Sequence, residues 1–318
     1  MLTSIASYFI LREVFLDSIL HQYHPLGFQG SRIAQGYWRA NEWGMNKQAN
    51  LSFIEACLAL GVTTFDHADI YGDYQCESLF GDSLALKPSL RDTMQLISKC
   101  GIKLKSNARP EHSMYQYDVS FDHIIASVEN SLRQLKTDYL DLILLHRATP
   151  LMDPDEVARA FEHLMIQGKV KHFGVSNFSA AQFDLLQSRM EVPLVVNQSE
   201  CSVLQAQAFE SGEIDHLHQH AVTPMAWSPL AGGRLFNGSD DQAIRMRELL
   251  HGLSDKYEGA TLDQLALAWL LKHPAKICPV MGSGKIARLE LAVAACHITL
   301  NDDDWYRIWC VSMGKALD

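Results

Sequence analysis

Short apolar runs alternate with stretches of helical periodicity along most of the chain. The runs cover residues 32–36, 63–68, 94–100, 140–146, 170–176, 193–199, 223–229 and 277–283, each about the length of one strand. Several are apolar on both faces, as parallel strands covered from both sides should be. The stretches between them carry helix punctuation. Asp153-Pro154-Asp155-Glu156 supplies a capping residue, a proline at the first helical position and an acid three residues on. Val157, Phe161, Leu164 and Met165 then mark one face, and Gly168 stops the helix. Residues 46–60 repeat the scheme, with Leu51, Ile54 and Leu58 inward and Gly61 as the stop. Eight such units predict an α/β fold, a (β/α)8 TIM barrel over residues 29–318 that ends in a C-terminal helix. Residues 1–28 are set apart as an N-terminal extension or barrel-bottom segment. An open doubly wound sheet is the alternative topology.

Composition narrows the functional classes. The chain has 318 residues, 47% of them hydrophobic, which is enough to bury a full core. Its 37 acidic against 27 basic residues give a net charge of −10, which argues against nucleic acid or an anionic membrane as the main partner. No apolar run reaches the roughly 18 residues that a bilayer span needs. Seven cysteines lie scattered without a C-x-x-C pair, the pattern of reduced thiols in a cytoplasmic protein. Residues 1–20 are apolar in part, but Arg12 and Glu13 interrupt them, so a docked or frayed extension is expected rather than a signal peptide. The sequons at Asn177, Asn197 and Asn237 then carry no glycan.

A barrel places its chemistry at the C-terminal ends of its strands. Read in order, those ends present Gly36-Tyr37-Trp38, Asp66-His67-Ala68-Asp69-Ile70-Tyr71, Lys99-Cys100 and His146-Arg147. Ser176-Asn177, Asn197-Gln198, Trp227-Ser228 and Gly282-Ser283-Gly284-Lys285 follow. Each has a bland reading when taken singly: Lys99 as a surface stop, His146 as a satisfied core histidine, Asp66 as a helix cap. Their shared position favours a site. Asp66, Tyr71, Lys99 and His146 form a chemical set: a phenol to donate a proton, an ammonium to stabilise the phenolate left behind, a carboxylate to hold the ammonium and an imidazole to orient a carbonyl. None of them is a reductant, so a nucleotide reductant is implied. No G-x-G-x-x-G or P-loop pattern is present, but barrels bind phosphate at the loops after strands seven and eight. Here those loops read Ser228-Pro229-Leu230-Ala231-Gly232-Gly233-Arg234 and Gly282-Ser283-Gly284-Lys285-Ile286-Ala287-Arg288.

Phe65-Asp66-His67-Ala68-Asp69-Ile70-Tyr71-Gly72, Ile97-Ser98-Lys99, Leu144-Leu145-His146 and Gly174-Val175-Ser176-Asn177-Phe178, with the two glycine-rich loops, resemble the aldo-keto reductases. The wording of residues 36–39 and 66–72 is most similar to the bacterial YdhF-like oxidoreductases. The resemblance implies NADPH-dependent reduction of aldehydes or ketones, with Tyr71 as general acid, Lys99 and Asp66 tuning it and His146 orienting the carbonyl. It implies NADP(H) across the barrel mouth, contacting Gly36, Tyr37, Trp38 and Asp66. Ser176, Asn177 and Gln198 would hold the carboxamide, with Trp227 stacked on the nicotinamide. The strap of Ser228, Pro229, Leu230, Gly232 and Arg234 would cover the pyrophosphate. Gly282, Ser283, Lys285 and Arg288 match the positions that bind the adenosine end and its 2′-phosphate. A metal-free monomer acting on a small carbonyl compound is the expectation. His67 departs from the family's usual small residue, and Leu291-Ala292 from its acid and amide near the adenine.

For the substrate, Trp38, Trp43, Tyr74 and the loop 102–118 are expected to line or cover the pocket, beside Tyr71 and His146, which suggests aromatic or apolar aldehydes and ketones. Arg147 either attracts a carboxylate-bearing carbonyl or pairs with Asp153 or Asp155. Two other functions compete. One is a regulator that binds NADP(H) without turnover, as the potassium-channel β-subunits of this family resemble. The other is a metal-dependent barrel hydrolase, prompted by Asp66-His67 and by His216-x-His218-x-His220. Helical spacing puts only His216 and His220 of that tract on one face, which favours a solvated surface.

Overall fold

The computed structural model describes residues 20–316, so most of the extension expected at 1–28 lies outside the described residues. Eight strands close a parallel barrel: β1 (Ala34–Gly36), β2 (Thr64–Asp66), β3 (Gln95–Cys100), β4 (Leu140–Leu145), β5 (Val170–Ser176), β6 (Leu194–Glu200), β7 (Thr223–Trp227) and β8 (Cys278–Met281). Spatial order follows chain order. β8 returns to β1, with Val280 opposite Ala34 and Met281 opposite Gln35, and this closure decides against the open sheet. All eight expected runs contain a strand, most of them trimmed at the ends where the chain turns. β7, for instance, stops at Trp227 because Ser228 takes a left-handed φ of 51°.

The outer ring is built by α1 (Lys47–Ala59), α2 (Cys76–Leu84), α3 (Phe121–Leu135), α4 (Pro154–Ile166), α5 (Ala180–Gln187), α6 (Glu213–Gln219), α7 (Asp241–Ser254), α8 (Leu262–Leu271) and α9 (Ile286–Ala295). Asp153 caps α4 by accepting from the backbone N–H of Asp155 and Glu156, and Gly168 ends the segment at a φ of 68°. Asn46 caps α1 in the same way. Leu51 and Ile54 are buried as expected, whereas Phe53 and Cys57 take the inward places and Leu58 is only half-buried. Strand faces and helix stripes meet in a large apolar layer that includes Ile54, Phe65, Leu96, Ile143, Phe161 and Phe173. The final helix, α10 (Asp302–Met313), docks by stacking Trp305 on Trp269, each indole N–H donating to the other residue's carbonyl at 3.0–3.1 Å.

One end of the barrel is closed by a hairpin of Leu20–Gln22 and Gln29–Ser31, which pairs across the expected 28/29 boundary. It carries Tyr23 and Phe28 into a second core with Ile97, Leu142, Leu144, Val196 and Met225. The Tyr23 hydroxyl donates to the Ser31 carbonyl at 2.8 Å, and its own carbonyl accepts from Thr223 N at 3.0 Å. With that end filled, the cleft opens at the strand C-termini.

Candidate active site

Asp66 is the last residue of β2, Lys99 lies near the end of β3 and His146 directly follows β4. The β2–β3–β4 register makes these ends neighbours, with Asp66 opposite Ile97 and Lys99 opposite Leu144. Four acceptors surround the fully buried Lys99 ammonium: Asp66 Oδ1 at 2.8 Å, Asp66 Oδ2 at 2.7 Å, the His67 carbonyl at 2.8 Å and the Tyr71 hydroxyl at 2.9 Å. Because the phenol oxygen accepts from lysine, its own proton is left to donate into the cleft. The His146 ring stands edge-on to Tyr71, with centroids 5.8 Å apart.

Electrostatics sharpen these roles. Burial pushes the Tyr71 phenol above its ordinary pKa, and Lys99 pulls it back only in part, so the hydroxyl is protonated at neutral pH. The ammonium thus lowers the phenol's pKa as the residue set implies, but desolvation is the larger effect. Burial also works against the Lys99 ammonium, but Asp66 and Tyr71 outweigh it and raise its pKa. Burial, then Lys99 and Arg147, hold His146 well below the usual imidazole value, and it stays neutral. Its Nδ1 is buried without a hydrogen-bond partner among the described residues. His67 is likewise lowered, to about 3, by burial and by Lys99; its ring packs against both Tyr37 and Phe80.

The cleft above this group measures about 340 Å³. Gly36, Trp38, Asp66, Tyr71, His146, Arg147, Ser176, Asn177, Gln198, Trp227, Ser228, Pro229, Leu230, Gly232 and Gly282 line it, as the strand-end reading placed them. Amides and hydroxyls along one wall are tied together. Ser176 Oγ donates to the Gln198 carbonyl at 2.7 Å and accepts from Asn177 Nδ2 at 2.8 Å, while Trp227 Nε1 donates to Asn177 Oδ1 at 3.0 Å. Gln198 Nε2 donates to Asp66 Oδ1 at 2.8 Å, linking this wall to the buried ion pair. Asn177 and Ser228 hold left-handed backbones at the ends of β5 and β7.

Other expected residues fall elsewhere. The Tyr37 side chain points into the core, where its hydroxyl donates to Asn50 Oδ1 at 3.1 Å. Trp43 packs on Tyr37 and Phe53 instead of lining the pocket. Tyr74 borders a separate small cavity with Arg109 and His112. From the loop 102–118 it is Ile102 and Tyr115 that reach the cleft. Arg234 is engaged by Asp240 and Gln242 at 2.6–2.9 Å, away from the cleft lining. Arg147 forms no pair with Asp153, which caps α4, or with Asp155, which binds Arg189 at 2.9 Å. Strand and motif signals contained further cleft residues that were not singled out, namely Arg39, Ile70, Val280 and Met281.

Beyond Gly282 the chain runs into α9, with Lys285 at the N-cap and Arg288 in its first turn. No side chain caps this helix, and both cations are exposed and make no ion pair among the described residues. Added Cβ atoms at Gly232 and Gly282 would meet nothing within 4 Å, so open space borders both loops. Aromatic and amide walls, open glycine loops and cations without an acid partner among the described residues at an uncapped helix start, with Arg288 over the Phe236 ring at 5.9 Å, fit an extended dinucleotide phosphate.

Comparison with known proteins agrees with this geometry. The profile of the Aldo/keto reductase family matches residues 32–311. The chain is 48% identical to "Oxidoreductase YdhF" of Escherichia coli (strain K12) over 91% of its own length and 96% of that protein's. It is 41% identical to "6-dehydroglucose reductase" of Agrobacterium fabrum over 90% and 96% of the two chains. Among solved structures, an aldo/keto reductase from Klebsiella pneumoniae in complex with NADP and acetate superposes with a TM-score of 0.72 at 26% identity, covering 88% of this chain and 90% of that one.

Proposed function

Since the chain belongs to the aldo/keto reductase family across residues 32–311, we propose that it reduces aldehydes or ketones to alcohols with NADPH, using Tyr71 as the proton donor. The observation that carries this reading is the Lys99 Nζ–Tyr71 hydroxyl contact at 2.9 Å, which turns the phenol proton toward the cleft. NADPH, when bound, supplies the hydride. Neutral His146 orients the substrate carbonyl beside Tyr71, as a donor that carries no competing charge. Tyr71 gives its proton to the carbonyl oxygen, and Lys99, held by Asp66, stabilises the phenolate until solvent restores the proton. Ser176, Asn177 and Gln198 would hold the nicotinamide carboxamide, with Trp227 supporting the ring. Ser228 to Gly232 would border the pyrophosphate. Ser283, Lys285 and Arg288 would take the 2′-phosphate.

For the substrate, the cleft offers aromatic faces from Trp38, Tyr115 and Trp227, with the Arg147 guanidinium beside His146 and 6.0 Å from the Trp227 ring. Flat faces beside a guanidinium suit a small aldehyde bearing hydroxyl or carboxylate groups better than a long apolar one. The reductase of a dehydrogenated sugar among the relatives supports the same class. A panel of hydroxylated, carboxylated and plain aromatic aldehydes, followed by NADPH consumption, tests this. Turnover with a preference for the polar members is expected, and Arg147→Ala should lower kcat/KM for those members by about tenfold. Tight NADPH binding without turnover on any carbonyl would overturn the enzyme reading in favour of a regulatory module.

A further inference from the structure

The reductase chemistry leaves the His216-x-His218-x-His220 tract unused. His216 lies in α6 and His220 is the residue that ends it, so the two imidazoles sit one turn apart with ring centroids separated by 4.7 Å. Asp184 of α5 faces both: its Oδ1 is 2.8 Å from His216 Nε2 and 3.8 Å from His220 Nε2. One ligand atom from each residue falls within 4.8 Å of the others. Phe183 packs against both rings, at 5.4 Å and 6.3 Å between centroids, and so fixes their orientation from α5. His218 leaves the group and lies near His273.

We propose that Asp184, His216 and His220 bind a divalent transition cation, with zinc the best match, which staples α5 to α6 on the outer wall of the barrel. Two imidazole nitrogens and one carboxylate oxygen are borderline donors of the kind zinc prefers, and solvent completes the fourth position. Ligand bonds of about 2.0–2.1 Å give a tetrahedral edge of roughly 3.3 Å. The two Asp184–imidazole separations, 2.8 and 3.8 Å, bracket that edge, and all three ligand atoms lie within 4.8 Å of one another, so side-chain rotations close the site. Calcium and magnesium prefer all-oxygen shells and fit this set poorly. His216 is mostly buried, whereas His220 and Asp184 open to solvent, which gives the cation a route in. The site belongs to helices that follow β5 and β6 and stands apart from the residues lining the cleft, so its role is structural.

The test uses the untagged full chain, stripped with a chelator and dialysed. Titration with cobalt(II) should raise the visible absorption of a tetrahedral site to one equivalent, and zinc should displace it. Saturating zinc should raise the melting temperature. The His216→Gln, His220→Gln double variant should lose the absorption, the thermal shift and about a hundredfold in zinc affinity, while Asp184→Asn should lose about tenfold. Zinc binding by the parent chain no tighter than by the double variant, or an unchanged melting temperature at saturation, would overturn the proposal.

Discussion

At Lys99 a full positive charge is buried in the barrel, and its neighbours explain why it persists. Asp66, the His67 carbonyl and the Tyr71 oxygen together supply four acceptors at 2.7–2.9 Å. Removing one partner of such a group leaves the other uncompensated. In the proposed reaction proton donation requires the protonated phenol, so reduction should fall as pH rises through the Tyr71 pKa. Burial raises that pKa and Lys99 opposes the rise. In Lys99→Met the alkaline limb of the pH–rate profile should therefore move upward while kcat at neutral pH drops; an unshifted limb would contradict the coupling. His67 supports the site through its carbonyl, since both ring nitrogens are buried without hydrogen-bond partners among the described residues. Its folded pKa of about 3 lies below the ordinary imidazole value. The unfolded chain thus binds the extra proton, and this residue's share of stability is lost as pH falls from about 6.5 towards the folded value. His67→Leu should gain stability relative to the parent at pH ~5 compared with pH ~8, as measured by urea unfolding. A relative loss on acidification would contradict the assignment.

Among the elements, strands and helix starts were legible because their signals are local. Asp153-Pro154 and Asn46 cap the helices they were expected to cap, and every apolar run holds a strand. Side-chain direction at strand ends was harder to read, because adjacent residues can part company where a strand ends. Tyr37 turns into the core while Trp38 lines the cleft. Trp43 and Tyr74 were expected in the pocket from aromatic character alone, which carries no direction. Arg234 was read as part of the strap, but Asp240, which caps α7, lies six residues on and captures it. Lys285 and Arg288 have no such competitor among the described residues, and the uncapped start of α9 adds its partial positive charge. Charge-assisted bonds contribute roughly 1.5–3 kcal/mol each. Arg288→Ala should weaken NADPH binding by about tenfold or more and barely affect NADH. Equal losses for both cofactors would show that the arginine supports the helix rather than the phosphate.

Across the whole molecule, the hairpin around Tyr23 and Phe28 fills one end of the barrel, and the stacked Trp269 and Trp305 anchor the last helix. The chain as a whole is acidic at −10, yet Arg39 and Arg147 line the cleft, and Lys285 and Arg288 begin the helix that follows it. That distribution favours an anionic cofactor at the mouth of an otherwise negative protein. In the proposed reaction the cleft separates two tasks, binding NADPH along the rim and protonating a carbonyl at Tyr71. Tyr71→Phe removes one hydroxyl and leaves the ring and the rim in place. Its NADPH affinity, read by fluorescence titration, should match the parent's, while NADPH consumption with the best aldehyde should fall by about a hundredfold or more. A variant that binds NADPH normally and keeps more than about a tenth of the parent's turnover would show that Tyr71 is not the proton donor.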